Sequence, residues 1–393
     1  MTNNTKYRIA QFCYSAQFVI AYGYVAYYLG EYGYPSGQIG ILTSVFAMLA
    51  VIIQPILGRL ADRNVFFGWK TLALIISGLN LLDLILLLVL RNRFWIGICY
   101  ASLVLFVNCL LPISNATAFY YEDSEEPINY GIARGIGSLG YAIVSALVGQ
   151  LIIQFGKQSI IIVGILLSVG YLLMTVLMPY DFKRVIVVEE TQEETQKTNF
   201  IKKYPAFMWM VVSCACLLTF HNGAQTYLIN MIAPFGGDAS HIGIALAISA
   251  LAELPPMFFM VYLLKKIKVE KLMLIAAIGF VVKAFGYTFM RSLGVLYAVQ
   301  TLQMVSYAIT ISASVYYTNA VIEKEDANTG HSLMGAIVAI GTVVGNTVGG
   351  ILVEHFGLPA LFTFCITFTI LGLVFVLVAI QKGKKENEMN TSQ

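Results

Sequence analysis

Residues 130–156 read Y-G-I-A-R-G-I-G-S-L-G-Y-A-I-V-S-A-L-V-G-Q-L-I-I-Q-F-G. The stretch is long enough to cross a bilayer, for which about 20 predominantly apolar residues suffice, and it carries a cation, Arg134, inside the span. Steps of one helical turn from Arg134 reach Ser138, Tyr141 and Ser145, a single polar stripe. Gly135, Gly137, Gly140 and Gly149 lie elsewhere around the helix and let a neighbouring helix approach closely. The segment reads as a helix packed in a bundle, turning one cation and one aromatic ring toward a polar interior.

The stretch has a counterpart. Gly149 and Gly156 bracket Q-L-I-I-Q-F, and Gly350 and Gly357, displaced by 201 residues, bracket I-L-V-E-H-F. The same displacement takes Gly140 to Gly341 and Glu122 to Glu323. A repeat at half the chain length is the pattern of a transporter built from two six-helix halves.

Composition fixes the class. Of 393 residues 58% are hydrophobic and 11% charged, against about 25% charged in soluble domains. Repeated long apolar runs make this an all-α polytopic membrane protein, with the lipid bilayer as its surroundings. The basic residues are scattered over loops and form no dense patch, which argues against a nucleic-acid partner. The six cysteines all lie in apolar runs and read as small core residues, so no metal or other cofactor is expected. The polar lead M-T-N-N-T-K precedes a long tyrosine-rich apolar run, which reads as a first membrane helix rather than a removed signal peptide.

Hydropathy predicts twelve spans, at about 7–29, 38–60, 69–90, 94–120, 130–155, 159–179, 205–230, 241–264, 271–290, 295–320, 331–353 and 359–381. The polar stretch 183–204 is the expected cytoplasmic linker between a first half, 1–182, and a second, 205–393. With a cytoplasmic N-terminus, eighteen Lys and Arg fall on inner segments and four, Arg91, Arg93, Lys157 and Arg291, on outer ones. That bias predicts an inner-membrane protein with both termini cytoplasmic.

The second span ends in Q-P-I-L-G-R-L-A-D-R, residues 54–63. Gly58 permits close backbone approach, Asp62 near a helix end can pair or cap, and Arg63 anchors the cytoplasmic side; an ordinary positive-inside turn is the plain alternative. This pattern resembles the loop motif of the major facilitator superfamily, and more narrowly that of the lactose permease branch, the oligosaccharide:proton symporters. The resemblance implies a loop that steadies one conformation of the alternating cycle. Residues 130–142 likewise resemble the permease signature around its sugar-binding arginine and stacking aromatic, which places Arg134 and Tyr141 on those roles. A guanidinium fork suits paired hydroxyls and a ring face suits a pyranose. The alternative is an Arg134 that snorkels to the cytoplasm, since it sits about 6 Å past the helix start.

Span four carries Asn108 and Asn115 but no carboxylate where the permease family has a glutamate, and Asp83 in span three reads as a residue facing a packed polar neighbour. Glu253 and Lys283 each lie about 18 Å into their helices, near the midplane, where an unpaired charge costs at least about 2.5–3.5 kcal/mol. They are expected to face a partner or a wet cavity, as solute ligand and coupling groups or as a purely structural pair. Stretch 301–306, T-L-Q-M-V-S, resembles the permease's tenth-helix motif, with Gln303 standing for its histidine and Ser306 for its proton-carrying glutamate. His221, in F-H-N-G-A-Q, takes the place of a span-seven aspartate.

The resemblance implies a monomeric secondary transporter moving a small polar solute, first a sugar or oligosaccharide, by alternating access. Arg134, Tyr141 and Glu253 are the expected solute ligands. Glu253, Lys283, His221 and Gln303 are the candidates for proton coupling. A nucleoside or aromatic-acid carrier and a drug exporter of the same fold are the alternatives. A membrane enzyme such as a lipid transferase is the rival class, but the four histidines show neither H-x-x-x-H nor paired-carboxylate spacing. A solute sensor is a further rival, against which the lack of a long soluble domain argues.

Overall fold

The computed structural model describes residues 1–63, 68–121, 128–179, 200–323 and 326–391. Every element among them is helical. In chain order they are α1 (Asn3–Phe18), α2 (Val25–Gly30), α3 (Ser36–Arg63), α4 (Trp69–Val89), α5 (Arg93–Tyr120), α6 (Tyr130–Phe155), α7 (Gln158–Leu177), α8 (Phe200–Lys203), α9 (Pro205–Thr226), α10 (Leu228–Ile232), α11 (Ala239–Lys266), α12 (Val269–Thr288), α13 (Leu293–Thr301), α14 (Tyr307–Val321) and α15 (Ala327–Thr391). The predicted linker falls, over 183–199, outside the described residues.

Nine described helical stretches are long and apolar enough to cross a membrane. The expected count of twelve is not reached by that measure. The first predicted span is divided between α1, a π-turn at Val19–Gly23 and α2, the ninth falls outside the set, and the last two run together in α15. Inside α15 the helix is interrupted at Gly357, where φ is 74° and ψ −173°.

The glycines with positive φ are Gly33, Gly156, Gly236 and Gly357, at 75°, 80°, 73° and 74°. Each sits where a side chain would be strained. They form two pairs, one displaced by 203 residues and one by 201, so the repeat seen in the sequence recurs in the backbone. Packing repeats as well. A Cβ on Gly140 would lie 2.9 Å from the Phe12 carbonyl oxygen of α1, and one on Gly341 would lie 2.9 Å from the Leu218 carbonyl carbon of α9. Each glycine thus admits the corresponding first helix of its copy.

The chain divides into two compact units, Met1–Glu189 with Thr226–Leu251, and Glu190–Gln225 with Ala252–Gln393. The first boundary, between Glu189 and Glu190, lies in the polar stretch; two more, in α9 and in α11, assign residues 226–251 to the first unit. Close contacts explain why 226–251 belongs to the first unit. Tyr24 has φ −114° and ψ 7°, which breaks the first span. Its hydroxyl donates to the Ser145 carbonyl at 2.8 Å, with the Ala239 carbonyl at 3.4 Å. Tyr227, displaced by 203, breaks its own helix at φ −98° and ψ 26° and donates to the Ser36 carbonyl at 3.2 Å. A Cβ on Gly149 would lie 2.8 Å from the Ala239 carbonyl oxygen.

In the second unit, Lys203 bonds Glu323 at 2.7 Å and Asp326 at 2.8 Å, and the Tyr204 hydroxyl donates to Asp326 at 2.8 Å. These bonds, Lys203 first, hold the Asp326 carboxyl below its ordinary range.

Candidate functional site

The second unit contains a chain of polar side chains inside apolar helices. Lys283, on α12, is 1% exposed and donates from Nζ to Gln303 Oε1. Gln303 Nε2 in turn donates to Glu253 Oε1 on α11 at 2.9 Å. A 3-10 turn at Leu302–Met304 between α13 and α14 carries Gln303 into place. Its amide is oriented by its neighbours: the oxygen faces an ammonium, which only donates, and the NH2 faces a carboxylate, which only accepts when ionised. Gln303 therefore bridges Glu253 and Lys283. The sequence marks Gln303 as a lost histidine and does not mark it as the link.

His221 stands beside this chain. Its ring stacks on Tyr307 with centroids 4.1 Å apart, and it is close enough to Lys283 for their charges to interact. Its Nδ1 is enclosed and has no hydrogen-bond partner among the described residues. Ser306, fully buried, returns its hydroxyl to the Leu302 carbonyl of its own turn.

In the first unit Arg134 is exposed, and its Nη1 donates to Ser138 at 3.4 Å. Helical side chains lean toward the N-terminus, and a snorkelling Arg134 would follow that lean to the near end of α6. The guanidinium instead turns one helical turn deeper. Tyr141 is half-buried and its hydroxyl lies near Gly23 of the first span. The predicted stripe is not uniform, because Ser145 is fully buried and donates to the Tyr141 carbonyl. Nearby polar groups pair locally: Asn108 Nδ2 with the Tyr22 hydroxyl at 2.6 Å, and the Tyr130 hydroxyl with Asn115 Oδ1 at 3.2 Å.

Tyr28 is fully buried and stacks on Tyr100. One further reading changes. Gly58 was expected to admit a close neighbour, but a Cβ there would meet nothing within 4 Å. Asp62 and Arg63 end α3, and their side chains lie outside the described set. Asp83 accepts from the Ser102 hydroxyl of α5.

A second polar network has no counterpart in the sequence reading. Asn80 Nδ2 on α4 donates to Gln17 Oε1 on α1 and to Ser168 Oγ on α7, both at 3.0 Å. All three side chains are buried. A neutral polar residue in each of three apolar runs is the signal that was available.

A run of apolar helices holding a Lys–Gln–Glu chain, with its lysine and glutamine buried and its glutamate half-buried, suits a solute carrier. The family model described as the MFS_1 like family matches residues 4–364. The chain belongs to this family. This MFS_1-like protein is 22% identical over 379 residues to a Bacillus subtilis (strain 168) protein described as the uncharacterized transporter YwbF, covering 92% of this chain and 90% of that one. It is 24% identical over 377 residues to the maltose permease of Geobacillus stearothermophilus, with the same coverage. Among solved structures it resembles the nucleoside transporter NupG with a TM-score of 0.75 at 15% identity, over 97% of this chain and 99% of that one. That likeness shows the major facilitator fold. The MFS_1-like protein is thus a multi-pass membrane transporter and not an enzyme.

Proposed function

We propose that this MFS_1-like protein is a monomeric secondary carrier of the cytoplasmic membrane that moves a sugar or oligosaccharide by alternating access, coupled to protons. In this reading two six-helix halves, 1–182 and 205–393, rock about a midplane site, with 183–204 as their cytoplasmic linker and both termini inside. Arg134, Tyr141 and Glu253 are the solute ligands. The loop of Gly58, Asp62 and Arg63 steadies one conformation. The observation that carries the reading is the Lys283–Gln303–Glu253 chain. Buried charged chains are seldom the most stable filling for apolar helices, and charges inside spans mark solute or ion pathways. The relation to a maltose permease supports a sugar as the first substrate class.

Coupling runs through Glu253 in this scheme, since Ser306 cannot carry a proton. Protonating the carboxyl removes one end of the Gln303-bridged pair and leaves Lys283 uncompensated, and solute binding beside Glu253 tips that balance. Reconstitution in proteoliposomes tests it. Wild type should accumulate a maltose probe against its gradient when a proton gradient is imposed. Glu253→Gln should exchange maltose across the bilayer without accumulating it. Arg134→Lys should lower apparent affinity at least about tenfold, because a point charge does not reproduce the planar fork. Wild type that ignores the proton gradient would remove the coupling claim, and unchanged affinity in Arg134→Ala would remove the ligand claim.

A further inference from the structure

The stretch F-H-N-G-A-Q, 220–225, places three polar side chains on one side of α9. At about 100° per residue, His221, Gln225 and Asn222 span an arc of roughly 100°. The opposite side is occupied: a Cβ on Gly223 would lie 3.0 Å from the Gly345 carbonyl oxygen of α15. His221 Nδ1, Asn222 Nδ2 and Gln225 Oε1 are each enclosed and each lack a hydrogen-bond partner among the described residues. All three residues are half-buried. Buried polar groups are normally satisfied, so three orphans within five residues call for a missing partner.

We infer that His221, Asn222 and Gln225 form a recognition edge for the vicinal hydroxyls of an uncharged solute; this rests on the carrier reading above and deepens it. The donor and acceptor inventory selects that chemistry. The edge offers an amide N–H, an amide oxygen and an imidazole nitrogen that serves in either sense according to its tautomer. A hydroxyl both donates and accepts, so a pair of them satisfies all three atoms. A carboxylate accepts only, which leaves Gln225 Oε1 bare. An apolar solute leaves all three atoms unsatisfied. The stacked Tyr307 fixes the His221 ring, so the edge is held in place before solute arrives.

The test is counterflow exchange in proteoliposomes with maltose, uridine and 3-phenylpropionate as probes. Maltose or uridine should exchange, and 3-phenylpropionate should not. For the hydroxylated probe that exchanges, Gln225→Leu and Asn222→Leu should each weaken apparent affinity about tenfold, the effect of one lost hydrogen bond to a buried site. A deoxy analogue lacking one hydroxyl of the diol should weaken binding to wild type similarly and should cost little more in the affected variant. The analogue arm needs no substitution and so stands even where a variant folds poorly in thermal unfolding. Exchange of 3-phenylpropionate alone, or full affinity for the deoxy analogue, overturns the recognition edge while leaving a carrier. Exchange of none of the three removes the carrier reading and the edge with it.

Discussion

Two polar trios, one in each unit, are built on the same plan with opposite electrostatics. In the first unit Asn80 is the hub and its two partners, Gln17 and Ser168, are neutral. In the second unit Gln303 is the hub and its partners are a lysine and a glutamate. An amide at the centre joins three elements in either case. The neutral trio needs no counter-charge, titrates nothing near neutral pH, and fastens α1, α4 and α7 together. The charged trio places a buried ammonium and a half-buried carboxylate among apolar helices, where apolar replacement of such a pair is often neutral or stabilising. The difference separates scaffold from machinery: one amide hub holds helices, and the other holds a charge state that solute and protons can change.

The largest expected effect comes from unbalancing the charged trio. Lys283→Met leaves Glu253 without its counter-ion and should lower stability by about 3–5 kcal/mol and abolish exchange. Adding Glu253→Gln to that variant should restore most of the stability in detergent thermal unfolding and none of the accumulation. A double variant as unstable as the single one would erase the distinction between the trios. Next comes the neutral hub. Asn80→Leu removes the donor of two bonds and should cost about 1–3 kcal/mol, with exchange per folded molecule unchanged. A loss of exchange beyond the loss of folded protein would assign machinery to the first unit too. The smallest effect is expected from Ser168→Ala, which leaves Asn80 Nδ2 bonded to Gln17. About 0.5–1.5 kcal/mol is the expected loss, read from the same unfolding curves.

The fold was readable because a bilayer imposes length and apolarity on each crossing. The 201-residue repeat was readable because Gly156 and Gly357 serve one backbone need, a helix stop at positive φ. Glu253 and Lys283 stood out because a charge in an apolar run is conspicuous. Gln303, Gln17, Asn80 and Ser168 did not, since neutral polar residues are common in spans and their meaning depends on partners many residues distant. The break at Tyr227 was also invisible, because no proline or glycine stands beside it, and the break at Tyr24 was marked only by the preceding Gly23. The attachment of 226–251 to the first unit was invisible for a related reason: it follows close backbone approach at Gly149 and Gly243, and composition marks only the polar stretch, where the boundary at Glu189 falls.

Tyr24 and Tyr227 reach for main-chain carbonyls, at Ser145 and Ala239 in one case and at Ser36 in the other. A carbonyl acceptor is present whatever side chain stands at its position. Descendants of this chain can therefore exchange Ser36, Ser145 or Ala239 without altering the acceptor, while the phenol must stay. Paired substitutions at the acceptor positions therefore carry no trace of these bonds; for Tyr24 the trace falls instead on Gly149 and Gly243, where a Cβ would lie 2.9 and 2.7 Å from its hydroxyl.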